Sequence, residues 1–180
     1  SNFIMKLLKF TYKKVMSTND VAIRKIRSGI EQGIIITNEQ KKGRGRFGNK
    51  WISLKGNLFT TIFYKVNSNY NLKKITQKNC LLIFKTLKTV IKKNISIKYP
   101  NDLLINSKKI CGILQEIITY NNKYFIIVGI GINIVESPKI NKYQTTYLNK
   151  HLNRNVSKYK IFFKIKKIFE NNIISLQQCS

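Results

Sequence analysis

The chain has 180 residues, a length that fits a single domain and is sufficient to bury a substantial core. Its 34 Lys and Arg against seven Asp and Glu give a formal net charge of +27, which suggests an anionic partner such as nucleic acid, a membrane surface or a phosphorylated ligand. The basic residues are mostly Lys and are spread along the whole chain, so compositional bias explains most of this charge and a dedicated nucleic-acid arm is disfavoured.

Cysteine and histidine usage argues against a disulfide framework and against a metal site built from side chains. Cys80, Cys111 and Cys179 are odd in number and widely spaced, and His151 is the only histidine. No apolar run reaches the roughly 18 residues of a membrane span. The first ten residues are interrupted by Lys and do not fit a signal peptide. We therefore expect a cytoplasmic protein in a reducing compartment.

In chain order, the first half predicts strands with one helix between them. Residues 6–15 predict a strand, and the polar run 17–20 supplies N-cap residues for a helix over about 20–28, which Gly29 ends. Two further strands are expected at 33–40 and 57–66, both rich in β-branched or aromatic residues.

The second half predicts a long amphipathic helix followed by closely spaced strands. The helix covers 71–93, with Lys on much of its polar face. Strand segments are expected at 95–100, 102–118 (a hairpin turning near Asn106–Ser107) and 123–135, with a last helix at 157–171. Strands joined by short turns, with helices interposed, predict an α/β or α+β domain. Its sheet is expected to be mixed and largely antiparallel, with helices packed on it.

One segment, QKKGRGRFGNKW at 40–51, departs from the composition of the rest of the chain. It gathers Gly43, Gly45, Gly48, Arg44, Arg46 and the only Trp, Trp51. Glycines allow positive φ and let backbone N–H groups approach a ligand, and the Arg side chains suit bidentate contact with carboxylate or phosphate. A basic surface turn, or a segment touching nucleic acid, is the alternative interpretation.

Three other segments carry candidate functional residues. Pro100 in KYPND (98–102) fixes Asn101 and Asp102 at a strand junction, and Lys109 lies on the next strand and can face them. A plain turn and hairpin is the alternative. STN (17–19) is sufficiently explained as a helix N-cap. GIGIN (129–133) is not GxGxxG, and it indicates close backbone approach to a ligand rather than a dinucleotide site.

Taken together, these segments resemble the biotin protein ligases. The resemblance covers about residues 8–170, and the five motifs stand in the family's order. They are STN at 17–19, Gln40 with GRGRFGNKW at 43–51, KYPND at 98–102, KICGILQE at 109–116 and GIGIN at 129–133. The resemblance implies a fold like that of class II aminoacyl-tRNA synthetases and biotin–lipoate ligases.

The activity that the resemblance implies has two steps. Biotin and ATP, with Mg²⁺, form biotinyl-5′-AMP and pyrophosphate, and a lysine of a biotin carboxyl carrier protein, the acetyl-CoA carboxylase subunit, then takes the biotin. The resemblance implies a catalytic group of Lys109, Arg44 and Asp102. It implies a biotin site of Ser17, Thr18, Asn19, Gln40, Gly43, Arg44, Gly112, Ile113 and Leu114. It implies an adenylate site of Arg46, Trp51, Asn101, Lys109, Gly131 and Asn133, with any Mg²⁺ arriving with ATP near Asp102.

The chain also departs from the family's pattern. Phe47 and Asn49 stand where relatives often have more Arg, which makes this loop less cationic. We expect one catalytic domain over 1–180, with no N-terminal winged helix and with the SH3-like C-terminal domain absent or truncated. We also expect a monomer or homodimer with no specific DNA binding and no membrane contact.

Two alternatives to a biotin ligase are retained. A lipoate–protein ligase has a related fold, but its usual RRxSGGGxVxHD-like stretch is missing. A basic nucleic-acid-binding protein is the interpretation from charge alone, and no recognised nucleic-acid module supports it.

Overall fold

The computed structural model describes residues 3–180, which form one sheet of seven strands with three α-helices. The elements are β1 Leu8–Val15, α1 Thr18–Arg27, β2 Gln32–Gln40, β3 Leu58–Val66, α2 Leu72–Lys88, β4 Ile95–Lys98, β5 Asp102–Ile105, β6 Lys108–Tyr120, β7 Lys123–Ile132 and α3 Lys158–Gln177. Short 3₁₀ turns lie at Arg46–Gly48 and Leu148–His151.

The strand order is β1-β2-β3-β7-β6-β5-β4. Only β1 and β2 pair in parallel, because α1 crosses between them, and the other five pairings are antiparallel. The predicted mixed, largely antiparallel sheet is confirmed, as is the hairpin turn, where Asn106 and Ser107 both have positive φ. This arrangement places the central strands β3, β7 and β6 side by side.

The two faces of the sheet are built differently. Because strand side chains alternate between faces, Ile126, Val128 and Ile130 of β7 join the main core under α2 and α3. Phe125 and Ile127 face the other way and pack with α1 in a smaller cluster. On that second face, which we call the open face, β7 continues with Gly129 and Gly131 instead of large apolar side chains. The open face is therefore left uncovered beyond α1.

Helix boundaries differ from the sequence expectations in three places. Ser17 is the N-cap of α1, with its Oγ accepting from Asp20 N at 3.1 Å, so the helix begins at Thr18 rather than near residue 20. The long helix α2 ends at Lys88, not 93, because β-branched residues follow and the chain turns toward β4. Helix α3 continues past 171 to Gln177, because Ile173 and Leu176 are buried in the core.

Among residues 3–180, no helix is both long enough and apolar enough to cross a membrane.

Candidate active site

A cavity of about 470 Å³ lies on the open face, between the N-terminus of α1, strands β6 and β7, and the segment after β2. Thirteen of the sixteen residues expected from sequence line it: Ser17, Thr18, Asn19, Gln40, Arg44, Arg46, Trp51, Asp102, Lys109, Gly112, Ile113, Leu114 and Gly131. Segments far apart in the sequence are thus brought to one concave site, as expected for a ligand-binding centre.

Glycines of the central strands make room for side chains on the open face. Gly112 and Gly131 are paired across β6 and β7, and the Trp51 indole lies flat against both. A Cβ at Gly112 would be 2.7 Å from Trp51 Cζ3, and one at Gly131 would collide with the same ring. The expected close backbone approach is therefore real, but it is made to a side chain of the protein, which forms part of the cavity wall.

The N-terminus of α1 is fixed by a buried polar network. Thr61 Oγ1 lies 2.7 Å from Thr18 Oγ1 and donates to Asn19 Oδ1 at 2.6 Å. Thr18 N donates to Gln40 Oε1 at 2.9 Å, and Gln40 Nε2 donates to Ser53 Oγ at 3.1 Å. These bonds hold the STN segment, β2 and β3 together, so the polar side chains at this end of the cavity are preorganised.

Residues 43–51 form a short hairpin, which we call the lid hairpin. Trp51 N donates to Gly43 O at 2.9 Å, and Gly45 N donates to Asn49 O at 2.7 Å. Positive φ occurs at Gly48 and at Phe47, whereas Gly43 and Gly45 do not need it. Gly43 is needed for space, because a Cβ there would be 2.6 Å from Trp51 O.

Arg44 anchors the base of the lid hairpin to the sheet and to α1. Its Nη1 and Nη2 donate to the two carboxylate oxygens of Glu116 at 3.1 and 2.8 Å, and Nη2 also donates to Asp20 Oδ1 at 2.9 Å. The hydrogen bond with Glu116 is the main cause of the raised pKa of Arg44. Arg44 Nε is buried without a partner. In this state the guanidinium serves two protein carboxylates.

Arg46 connects the tip of the lid hairpin to the opposite side of the cavity. With the Asn101 amide oriented so that its oxygen faces the guanidinium, that oxygen accepts from Arg46 Nε at 2.9 Å and from Nη1 at 3.3 Å. Asn101 is buried, and its carbonyl accepts from Ile113 N at 2.8 Å. The tip of the hairpin is therefore held closed over the cavity.

Lys109 and Asp102 form the ion pair of the site. Lys109 Nζ lies 3.0 Å from Asp102 Oδ1, and the Lys109 side chain is largely buried. The ammonium also lies 5.5 Å from the Trp51 ring centroid and 4.9 Å from that of Tyr143. A cation held among two rings and one carboxylate has little freedom to reorient, so its charge is fixed toward the cavity.

Three expected residues do not line the cavity. Gly43 is buried at the base of the lid hairpin, and Asn101 contacts Arg46 as described. Asn133 is buried in the loop after β7, donating to Thr146 O at 3.2 Å, and lies beside Trp51 in a separate small cavity. Ile113 lines the cavity, but its side chain also belongs to the main core.

Sequence reasoning assigned no role in ligand binding or catalysis to several residues that the structure brings to the site. They are Asp20, Thr61, Glu116 and Tyr143. Scarcity was an available signal for two of them, because Asp20 and Glu116 are two of only seven acidic residues. Thr61 and Tyr143 carry no local sequence signal and were found through contacts alone.

The cavity is suited to an anionic ligand rather than to a metal held by the protein. Arg44, Arg46, Lys50, Lys109 and Lys142 line it, and among the described lining residues Asp102 is the one carboxylate. Within residues 3–180, no group of three or more His, Cys, Asp and Glu is placed to hold a metal ion. Fixed cations around a partly enclosed space favour a carboxylate or phosphate.

Comparison with known sequences identifies related proteins. A family model described as the biotin/lipoate A/B protein ligase family matches residues 12–133. Biotin–protein ligase 2 of Arabidopsis thaliana is 31% identical over 139 residues, which cover 74% of this chain and 41% of that protein. The bifunctional ligase/repressor BirA of Bacillus subtilis is 31% identical over 113 residues, covering 60% of this chain and 34% of that one. The chain thus spans about two-fifths or less of these relatives.

Solved structures share the fold. A biotin protein ligase of Leishmania major in complex with biotinyl-5-AMP has a TM-score of 0.79 at 25% identity, covering 95% of this chain and 76% of that one. A biotin protein ligase of Aquifex aeolicus in complex with biotin and ATP has a TM-score of 0.77 at 28% identity, covering 94% and 72%. A T. acidophilum protein with bound lipoic acid reaches 0.64 at 8% identity, covering 94% and 87%, which shows the fold alone. The expected biotin–lipoate ligase-like fold is confirmed.

Proposed function

The chain belongs to the biotin/lipoate A/B protein ligase family, and from that membership we propose that it is an ATP-dependent biotin–protein ligase. It forms biotinyl-5′-AMP from biotin and ATP, and it then transfers biotin to a lysine of a biotin carboxyl carrier protein. The observation that carries the proposal is the convergence of the lid hairpin, the Lys109–Asp102 pair and the α1 N-terminus on one cationic cavity.

The first step joins two anions, which is the chemical problem that the cavity is suited to solve. A biotin carboxylate oxygen attacks the α-phosphorus of ATP, the bond to the bridging oxygen breaks, and pyrophosphate leaves. Lys109 and Arg46 offset the charge repulsion between carboxylate and phosphate and hold the two groups in line. The fixed position of Lys109 between Trp51 and Tyr143 lets it act without reorganising during the reaction.

The polar network at the α1 N-terminus can bind the uncharged ureido end of biotin. Biotin carries a ureido ring with one acceptor oxygen and two N–H donors, and Ser17, Thr18 and Gln40 present hydroxyl and amide groups to the cavity. Leu114 and the Trp51 ring supply apolar surface for the aliphatic tail. Fixed polar groups beside an apolar surface favour biotin over a carboxylic acid whose tail is wholly apolar.

In the second step the carrier lysine, as a free amine, attacks the acyl carbon of the mixed anhydride. The C–N bond forms, the bond between the acyl carbon and the phosphate oxygen breaks, AMP leaves, and the nitrogen gives up its extra proton to solvent water. Asp102 can accept a hydrogen bond from the incoming amine and orient it, since its carboxylate already accepts from Lys109. Closure of the lid hairpin keeps water from hydrolysing the anhydride before the lysine arrives.

Magnesium fits this site only together with ATP. Mg²⁺ typically takes one or two protein carboxylates and fills its remaining positions with phosphate oxygens and water, and Asp102 is the carboxylate available in the cavity. Bound there, the ion would neutralise phosphate charge.

The lipoate alternative is less well supported, because the Arabidopsis thaliana relative quoted above is named a biotin–protein ligase and the lipoic-acid-bound neighbour shares only the fold. The proposal also includes a cytoplasmic location, which the three free, buried cysteines favour. Strands β1 and β4 form the two edges of the sheet, an arrangement that is compatible with a monomer and with a homodimer paired edge to edge.

The test is incubation with biotin, Mg-ATP and a carrier domain, followed by mass spectrometry for the gain of one biotin on the carrier. A Lys109→Ala variant should lose biotin-dependent ATP–pyrophosphate exchange by about 10²–10³-fold, because a fixed cation at the developing charge is removed. Lys108→Ala, on the neighbouring residue, is the matched control and should retain exchange. Normal exchange in Lys109→Ala, or transfer of lipoate instead of biotin, would contradict the proposal.

A further inference from the structure

The tip of the lid hairpin carries an aromatic side chain in an unusual setting. Phe47 has φ 55° and ψ 39°, the left-handed region that L residues with large side chains avoid. The residue is 89% exposed, more than any other large hydrophobic residue in the described part of the chain. An exposed ring on a strained backbone buries little apolar surface, so it adds little to the stability of the fold.

Local geometry does not require this side chain. The neighbouring Gly48 already supplies a positive φ of 73° at the turn, and the hairpin is closed by backbone bonds between Gly45 and Asn49. The Arg46 guanidinium carbon lies 4.6 Å from the Phe47 ring centroid, but Arg46 is already held by Asn101. Backbone strain that the structure keeps without a local reason is characteristic of functional positions.

The surroundings indicate what kind of surface would cover the ring. Phe47 stands at the mouth of the cavity, together with the exposed side chains of Lys50 and Lys142. An apolar residue that shares a cavity rim with several cations is complementary to an acidic protein surface that includes an apolar contact. In the proposed function a folded protein must present its lysine at this same mouth.

We propose that Phe47 and the flanking lysines form the docking contact for the acidic acceptor protein, so that Phe47 determines acceptor recognition in the transfer step. This inference rests on the proposed biotin ligase function and adds a named surface to it. Phe47 is largely exposed at the lid tip, and no step of adenylate formation proposed above uses its ring.

The experiment separates the two half-reactions in full-length protein carrying Phe47→Ala. Biotin-dependent ATP–pyrophosphate exchange should stay within about twofold of the parent protein, while KM for a biotin carboxyl carrier domain should rise about tenfold or more, the size expected for loss of an aromatic contact at an interface. Phe47→Leu, which keeps apolar surface, should recover most of the affinity. Phe163→Ala, at another exposed aromatic residue on α3, should leave KM unchanged.

Two further readings test the strain and the charge. Phe47→Asn should raise Tm by about 2–4 °C, because Asn tolerates the left-handed conformation, and yet should weaken acceptor binding as Phe47→Ala does. Raising NaCl from about 0.05 to about 0.5 M should raise KM for the acceptor, because the lysines are screened.

The outcomes distinguish this inference from the function on which it rests. If the parent protein shows no exchange and no transfer, the proposed function fails. If exchange and transfer are normal and Phe47→Ala leaves the acceptor KM unchanged, the docking inference alone is overturned. It is also overturned if the substitution weakens binding to random-sequence DNA or to anionic lipid vesicles while acceptor KM is unchanged.

Discussion

Asp20, Asp102 and Glu116 each hold a basic side chain of the site, in a chain where basic residues outnumber acidic ones by 34 to seven. Arg44 is the most constrained of the cations, since both of its terminal nitrogens already serve Glu116 and Asp20. Three of its five N–H groups are used in these contacts, so a ligand in the cavity would find the buried Nε–H and one Nη1–H without a partner. We therefore expect Arg44 to position the lid hairpin, with Lys109 and Arg46 meeting most of the ligand's charge.

Replacing Glu116 by Gln tests this positioning role. The amide keeps the shape but removes the charge from a bidentate contact, and charge-assisted hydrogen bonds of this kind contribute about 1.5–3 kcal/mol. We expect KM for biotin to rise about tenfold as the base of the lid hairpin loosens, measured by pyrophosphate exchange at varied biotin. Glu31→Gln, which removes an exposed pair with Lys65 and Lys123, is the control. An unchanged KM in Glu116→Gln would refute the role.

The same carboxylate predicts a pH dependence of stability. Burial alone would raise the pKa of Glu116, but hydrogen bonds from Arg44 and Asn19 outweigh burial and hold the pKa below its ordinary value of 4.5. A group whose pKa is lowered on folding stabilises the fold fully above its unfolded pKa, and this stabilisation is lost as pH falls through the folded value. Between about pH 5 and about pH 3, the free energy of unfolding should therefore fall more steeply in the parent protein than in Glu116→Gln.

At the scale of elements, the lid hairpin depends on close approach to the sheet, and its glycines differ in what they allow. A Cβ at Gly43 would lie 2.6 Å from Trp51 O and 2.7 Å from Ser53 Oγ, whereas a Cβ at Gly45 would meet nothing nearer than 3.4 Å. Gly43→Ala must therefore displace backbone, while Gly45→Ala fits.

We expect Gly43→Ala to lower the free energy of unfolding by about 1–3 kcal/mol and to move the Trp51 ring off Gly112 and Gly131. Urea denaturation and the tryptophan emission spectrum measure the two effects, and Trp51 is the only tryptophan. Gly45→Ala, two residues away in the same hairpin, should change the free energy of unfolding by no more than about 0.5 kcal/mol. It should leave the tryptophan emission spectrum unchanged. Equal behaviour of the two variants would show that the clash is not what fixes the hairpin.

Strand positions were predictable from sequence to within a few residues, because β-branched and aromatic runs bounded by turn residues leave few alternatives. Helix ends were not, since Ile173 and Leu176 continue α3 through packing that lies distant in sequence. The motifs gave most of the cavity lining. Contacts such as Arg44 with Glu116, 72 residues apart, depend on the register of β6 and could not be read from local pattern.

On the scale of the whole molecule, the charge of +27 acts against the compact state. Six of the seven acidic residues already pair with at least one basic side chain. The ion pairs are Lys14–Glu39, Arg44–Asp20, Arg44–Glu116, Lys65–Glu31, Lys123–Glu31, Lys109–Asp102 and Lys166–Glu170. Most lysines are thus left to repel one another across the surface. Surface pairs contribute at most about 1 kcal/mol each, so net repulsion should dominate the response to salt.

We therefore expect Tm to rise as NaCl increases from about 0.02 to about 0.5 M, where the Debye length shortens from roughly 20 to roughly 4 Å. Sucrose at matched osmolality is the control, since it stabilises folds through exclusion from the surface without screening charge. If the charge is compositional bias, salt should stabilise the fold. The rate of biotin-dependent pyrophosphate exchange should fall only modestly, because salt also screens the cations of the cavity. A Tm that falls with salt would mean that the site's ion pairs outweigh the repulsion, and that the lysines are arranged rather than merely abundant.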